Sequence, residues 1–148
     1  MLLFKFNIDK DILFLKKKLK KYNFIRIYYF PTPKIDLYND LKSKIYDYEN
    51  FYINYPIKIL KMFENKKISF FYPSTIFVNY KNSKYAMIKK KAEKYLQKLK
   101  NHNTIINILR ISEINTKQNL SLIKKNLPNF IDVLRNNENY IKKLFFIK

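Results

Sequence analysis

The middle of the chain carries the pattern that most restricts how it can fold. A basic segment, Ser83–Asn101, lies between two runs rich in β-branched and aromatic residues, Ile68–Tyr80 and Thr104–Ile111. Apolar residues recur along the basic segment at the spacing of one helix face, namely Ile88, Ala92, Tyr95 and Leu99. The flanking runs have the residue types that suit a pleated sheet. The pattern therefore predicts a strand, a helix capped by Ser83 and a second strand, with lysines on the outer side of the helix.

The opening of the chain shows the same alternation. A short apolar run at Leu2–Phe6 is followed by a helical pattern that begins near Ile12, and then by a strand pattern at Phe24–Phe30. The strand should end at Pro31, because proline cannot donate a hydrogen bond to a sheet. From residue 34 to residue 67 the pattern loosens. We interpret 34–67 as an insertion or embellishment, since so short a stretch cannot form a hydrophobic core of its own.

The rest of the chain supplies the remaining elements of the predicted fold. Pro73 interrupts the run Ile68–Tyr80, which favours either one bent edge strand or two short strands. Phe130–Leu134 is predicted as a last strand before a C-terminal tail at 136–148. We therefore predict a single α+β domain over residues 1–148. It consists of ferredoxin-like β-α-β units with helices packed on one antiparallel sheet, and it carries helical insertions.

The charge of the chain indicates a polyanionic partner. Lysine and arginine number 31 against 11 acids, a formal net charge of +20, while hydrophobic residues make up 47% of the sequence. A chain this apolar should fold, but a surplus this large repels itself unless a polyanion neutralises it. Nucleic acid is the usual polyanion, because each neutralised phosphate releases a counterion. An anionic membrane surface is the alternative.

Composition also excludes most catalytic chemistry. The chain has no cysteine, no glycine and a single histidine, His102. Thiolate zinc sites, cysteine nucleophiles and glycine-rich phosphate loops are therefore absent. We expect no catalytic residues, no metal site, no cofactor and no small-molecule substrate, so the protein should not be an enzyme.

The best candidates for phosphate contact lie on the predicted central helix and the strand after it. Cationic side chains off the apolar stripe of that helix could grip phosphates, and Arg110 could bind one through its guanidinium fork. The simpler alternatives are a solvated helix face and, for the arginine, an ion pair at the strand surface. The residues selected on this basis are Lys89, Lys90, Lys91, Lys94 and Arg110.

Several short segments resemble one family of ribosomal proteins. They are FPTPK (Phe30–Lys34), VNYKNSK (Val78–Lys84), RISEINTK (Arg110–Lys117) and NLPNFIDVL (Asn126–Leu134). Their order is similar to that of the tenth protein of the small ribosomal subunit, which has a proline-rich loop, a long hairpin and a helix ending in Leu-Pro. The chain departs from that family by about thirty extra residues after Pro33 and by a helix where the family has a hairpin tip.

This resemblance implies a structural protein of the small-subunit head that binds ribosomal RNA and neighbouring ribosomal proteins. Its loops add three candidate RNA-binding residues, Lys34, Lys81 and Lys84. Two other ribosomal families share the β–α–β logic and remain alternatives. The sixth small-subunit protein would use YPIK (Tyr55–Lys58) to lead into a strand, and it and the twenty-third large-subunit protein would take Ile76–Glu113 as strand, helix and strand.

Residue usage and the N-terminal sequence suggest where the protein works. Lysine, asparagine, isoleucine, phenylalanine and tyrosine dominate, as expected of a very AT-rich gene, and the N-terminal residues match neither a secretory signal nor a mitochondrial presequence. No apolar run approaches ~18 residues, so no transmembrane segment is expected. We expect an organelle-encoded protein of the mitochondrial matrix, or of a plastid-type organelle. A peripheral membrane or complex-assembly subunit remains the alternative function.

Overall fold

The computed structural model describes residues 8–33, 42–79, 83–112 and 128–136. The helix and the following strand predicted from the central pattern are confirmed. The expected strand at Leu2–Phe6 and the tail beyond residue 136 lie outside the described residues. In chain order the elements are α1 (Ile8–Leu19), β1 (Phe24–Tyr28), α2 (Lys42–Glu49), a π turn (Asn50–Asn54), α3 (Tyr55–Met62), β2 (Lys67–Thr75), a 3-10 turn (Ile76–Asn79), α4 (Lys84–Lys98), β3 (Thr104–Ile111) and α5 (Phe130–Arg135).

The three strands form one sheet in the order β1–β2–β3, and both pairings are parallel. The prediction of ferredoxin-like units with helices on one antiparallel sheet is therefore wrong, although the α+β content stands. Parallel neighbours cannot be joined by a tight hairpin and need a crossover. Here α2, the π turn and α3 connect β1 to β2, and α4 connects β2 to β3. The sequence pattern of strand, helix and strand fits this parallel arrangement. Neighbouring antiparallel strands are typically joined by a hairpin, and β2 and β3 are joined by α4 instead.

Pro73 lies in the central strand β2, not in an edge strand as its lack of an N–H predicts. The carbonyl of Phe71 accepts a hydrogen bond from the N–H of Tyr29 at 3.0 Å, so Phe71 faces β1. Residues alternate sides along a strand, so Pro73 also faces β1, which ends at Tyr28. Beyond that point no described strand pairs with this side of β2, so the missing donor of proline is tolerated.

Both crossovers pack on the same face of the sheet and enclose the core with it. The stretch 42–62, inside the predicted insertion, supplies several of the buried side chains. The core therefore depends on that stretch as much as on the strands. Its buried side chains are Ile25 of β1 and Tyr29 just after it, Ile68, Phe70 and Tyr72 of β2, Tyr48, Tyr52, Ile53, Ile59, Leu60 and Phe63 of the first crossover, and Ile88, Ala92 and Leu96 of α4.

The first crossover changes from α to π geometry just before Pro56. Proline has no N–H, so the carbonyl of Tyr52, four residues earlier, cannot receive its usual helical hydrogen bond. The hydroxyl of Tyr72 donates to this carbonyl instead, at 3.3 Å. A tyrosine of the central strand thus replaces a donor that the helix lacks.

A second tyrosine satisfies the other carbonyl that the π turn exposes. The N–H of Tyr55 donates to the carbonyl of Asn50, five residues back, and so leaves the carbonyl of Phe51 without its helical donor. The hydroxyl of Tyr29 donates to that carbonyl at 2.6 Å. Two buried phenol groups therefore complete the backbone of the π turn, which explains why tyrosine occupies these core positions.

The last element is a helix, so the prediction of a strand at Phe130–Leu134 is wrong. The side chain of Asn129 accepts from the N–H of Asp132 at 2.9 Å, and its backbone carbonyl accepts from the N–H of Val133 at 3.2 Å. This is the geometry of a helix N-cap, which outweighs the β-branched content of a short segment. Among the described residues, no helix has the length and the apolar character that crossing a bilayer requires.

Candidate nucleic-acid interface

Helix α4 begins at the predicted cap, where the Ser83 hydroxyl accepts from the N–H of Ala86 at 3.1 Å. Its buried side is rotated relative to the predicted apolar stripe. Tyr95, expected in the core, is 42% exposed, whereas Leu96 is fully buried. The inner side of the helix consists of Ala86, Ile88, Lys89, Ala92, Glu93 and Leu96. The rotation follows from the two charged residues in this set, which find partners inside the fold.

The opposite side of α4 carries a row of exposed lysines, Lys84, Lys90, Lys91, Lys94 and Lys98. We call these five residues the basic face. It spans ~21 Å along the helix, at 1.5 Å per residue. Among the described residues, Lys90, Lys94 and Lys98 have no acidic partner. Lys98 was not among the residues selected from the sequence, although it lies one turn beyond Lys94.

Lys91 is the member of the basic face that pairs with an acid. Its ammonium lies 3.0 Å from a carboxylate oxygen of Glu49 at the end of α2, and both side chains are about half exposed. The hydrogen bond to Glu49 raises the pKa of Lys91. An exposed pair of this kind contributes little to stability, and a phosphate can compete for the ammonium. Lys34 and Lys81, also selected from the sequence, lie outside the described residues.

Lys89 lies in the core, where it cannot reach a phosphate at the surface. It is only 5% exposed, and its ammonium donates to the carbonyl of Pro73 at 2.8 Å. The same ammonium lies 4.0 Å from the ring centre of Tyr52 and 4.6 Å from that of Tyr72. Ring faces attract a desolvated cation. The proline carbonyl that β1 leaves unpaired and the two rings together form a cage for this amine.

The environment of Lys89 disfavours its charge, and Glu93 partly compensates. Burial lowers the pKa of Lys89 to about 7, while the charge of Glu93, one turn later on α4, acts to raise it. The same carboxylate binds Arg110 of β3. Its oxygens lie 2.7 Å from Nη2 and 3.1 Å from Nε of the guanidinium. The charged groups of Lys89, Glu93 and Arg110 thus follow one another from the core to β3 at the edge of the sheet.

The guanidinium fork of Arg110 is engaged within the protein. Its hydrogen bonds to Glu93 raise the pKa of Arg110, and the Glu93 side chain is 5% exposed. This is the ion pair that the sequence left open as the alternative to phosphate binding. The residue types gave no sign of it, because Glu93 and Arg110 are distant in sequence and meet only through the β2–β3 crossover.

The part of the chain that the structure describes contains no group of three or more histidine, cysteine or acidic side chains that could hold a metal ion. No family model matches this chain, and no curated protein sequence matches it.

Proposed function

We propose that the protein is a structural RNA-binding protein that holds RNA phosphates on the basic face of α4. The observation that carries this proposal is the composition of that face. Lysines line one side of a helix whose other side is anchored in the core, so their positions are fixed by the fold. Three of them, Lys90, Lys94 and Lys98, have no acidic partner in the described chain.

The net charge of +20 supports the same partner. Lysine side chains contact phosphates without reading base sequence, so this face suits positioning and assembly more than sequence recognition.

A ribosome, and specifically an organellar one, is the setting we propose. The lysine-rich and AT-biased composition supports it, as do the short segments similar to the tenth small-subunit protein. The sheet gives that particular family no support, because the hairpin expected between its strands is replaced by α4. Cosedimentation of the tagged protein with a ribosomal subunit in a density gradient at moderate salt would test this setting. Recovery only at the top of the gradient would contradict it.

The interface itself is tested by removing lysine charges from α4 in one variant and from the region of α1 in another. We expect replacement of Lys90, Lys94 and Lys98 by glutamine to weaken RNA binding and to reduce the slope of log K against log salt by about 2, since each phosphate contact contributes ~0.7 for a single strand. The matched control replaces the exposed Lys16 and Lys17 of α1 and Lys20, which directly follows that helix, and so removes the same charge. Equal losses in the two variants would show that binding is not localised on α4.

A membrane surface is a second candidate because of one feature of α1. Leu13 is 76% and Phe14 50% exposed, and the next residues include Lys16, Lys17 and Lys18. Apolar side chains beside lysines are typical of helices that bind anionic lipid. Flotation with vesicles of anionic and of neutral lipid distinguishes the two functions. An RNA-binding protein should stay with RNA and leave both kinds of vesicle unbound at moderate salt.

A further inference from the structure

One aromatic ring that does not belong to the core lies beside the basic face of α4. Tyr95 is 42% exposed, whereas Tyr29, Tyr52 and Tyr72 are buried with hydroxyl groups that are hydrogen-bonded. No ring of the described residues stacks on Tyr95. Tyr95 does not belong to the buried core cluster, so its ring is available to a flat ligand.

The surroundings of Tyr95 suit a nucleotide. Lys91, Lys94, Gln97 and Lys98 line a shallow depression with it, of about 490 Å³. The lysines provide positive charge on the side of the ring that faces solvent, and Gln97 adds an amide that can both donate and accept. A base on the ring would therefore lie within reach of cations for its phosphates and of an amide for its edge.

We propose that this depression binds single-stranded RNA, with one unpaired base stacked on the ring of Tyr95 and the flanking phosphates held by Lys94 and Lys98. This inference rests on the proposed function and makes it more specific. In a duplex the faces of the bases are covered by their neighbours, so only an unpaired base can present a face to tyrosine. The lysines alone would bind a duplex and a single strand through the same phosphate contacts.

The experiment measures fluorescence anisotropy of a labelled single-stranded RNA and of a labelled, fully paired RNA duplex with the full-length protein. The variants are Tyr95→Leu, which removes the ring, and Tyr95→Phe, which keeps it. We expect Tyr95→Leu to weaken binding of the single strand about 5- to 160-fold, the range for loss of one base–aromatic stack, and to leave binding of the duplex within about two-fold. Tyr95→Phe should bind both RNAs like the unchanged protein.

Two controls separate the possible failures. Tyr46 is also an exposed tyrosine, but it lies on α2 beside Asp47, so Tyr46→Leu should have no effect on either RNA. If Tyr95→Leu binds the single strand normally while Lys94→Gln/Lys98→Gln binds weakly, the stacking inference is refuted and the basic face stands. If Lys94→Gln/Lys98→Gln also binds normally, the proposed function fails as well. Equal weakening of both RNAs by Tyr95→Leu would also refute selective stacking.

Discussion

The buried amine of Lys89 makes the stability of this protein depend on pH in a defined direction. Burial lowers its pKa from 10.5 to about 7 in the folded chain. Between these two values the unfolded chain binds a proton that the folded chain does not, so the free energy of unfolding rises with pH. Below about pH 7 both states are protonated and the contribution of Lys89 no longer changes. One proton corresponds to ~1.4 kcal/mol per pH unit, which gives about 2–3 kcal/mol between pH ~7.5 and ~9.5.

The substitution Lys89→Met isolates this contribution, because it keeps a long unbranched side chain and removes the titrating group. The matched control is Lys90→Met, the same change at the adjacent exposed position. Urea unfolding followed by circular dichroism at several pH values gives the free energy of unfolding of each variant. We expect the free energy of unfolding of Lys89→Met to lack the ~2–3 kcal/mol rise between pH ~7.5 and ~9.5, while that of Lys90→Met keeps it. The measurements should stay below pH ~10, where tyrosines of the unfolded chain begin to ionise.

The opposite result would refute the packing described for α4. If Lys89→Met and Lys90→Met show the same dependence on pH, then Lys89 is not desolvated and the helix does not present it to Pro73 and the two tyrosines.

Three further substitutions test other contacts of the core, each by urea unfolding at neutral pH. Arg110→Met leaves the buried Glu93 without its partner and should cost about 2–3 kcal/mol, and the double variant Arg110→Met/Glu93→Gln should recover part of this. Tyr29→Phe removes the donor to the π-turn carbonyl of Phe51 and should cost about 1–2 kcal/mol, with no change in RNA binding. Ser74→Ala should stabilise the fold by up to about 1 kcal/mol, because the hydroxyl oxygen of Ser74 is buried and has no hydrogen-bond partner among the described residues.

Local patterns in the sequence were sufficient to predict the central part of the fold. The cap at Ser83, the helix α4 and the strand β3 depend on neighbours along the chain, so periodicity and capping chemistry identify them. Whether the strands pair in parallel or antiparallel could not be predicted from local patterns. Strand pairing depends on which connections cross the sheet, and the chain between Phe30 and Ile68 was too irregular to be identified as a crossover.

The candidate site was predicted in part for the same reason. Lys90 and Lys94 were correctly placed on the surface of a helix, because their spacing from the apolar positions puts them on the side of the helix that faces away from the core. The burial of Lys89 depends on a carbonyl freed by Pro73 and on rings from two other elements, and no spacing rule contains that information. The charge of Arg110 suggested that it binds a phosphate. In the fold, the parallel pairing of β3 with β2 places Arg110 next to Glu93 of the crossover helix instead.

The topology of the sheet has a consequence for how the protein reaches its native state. Each neighbour of β2 is separated from it along the chain by an entire crossover, so the three described strands contain no hairpin that could serve as a local nucleus. The entropy of closing both large loops must be lost before the strands and helices stabilise one another, which predicts slow folding for a chain of this size. Until Thr104–Ile111 docks, β2 has an open edge that can pair with another molecule. Refolding yield should therefore fall as protein concentration rises.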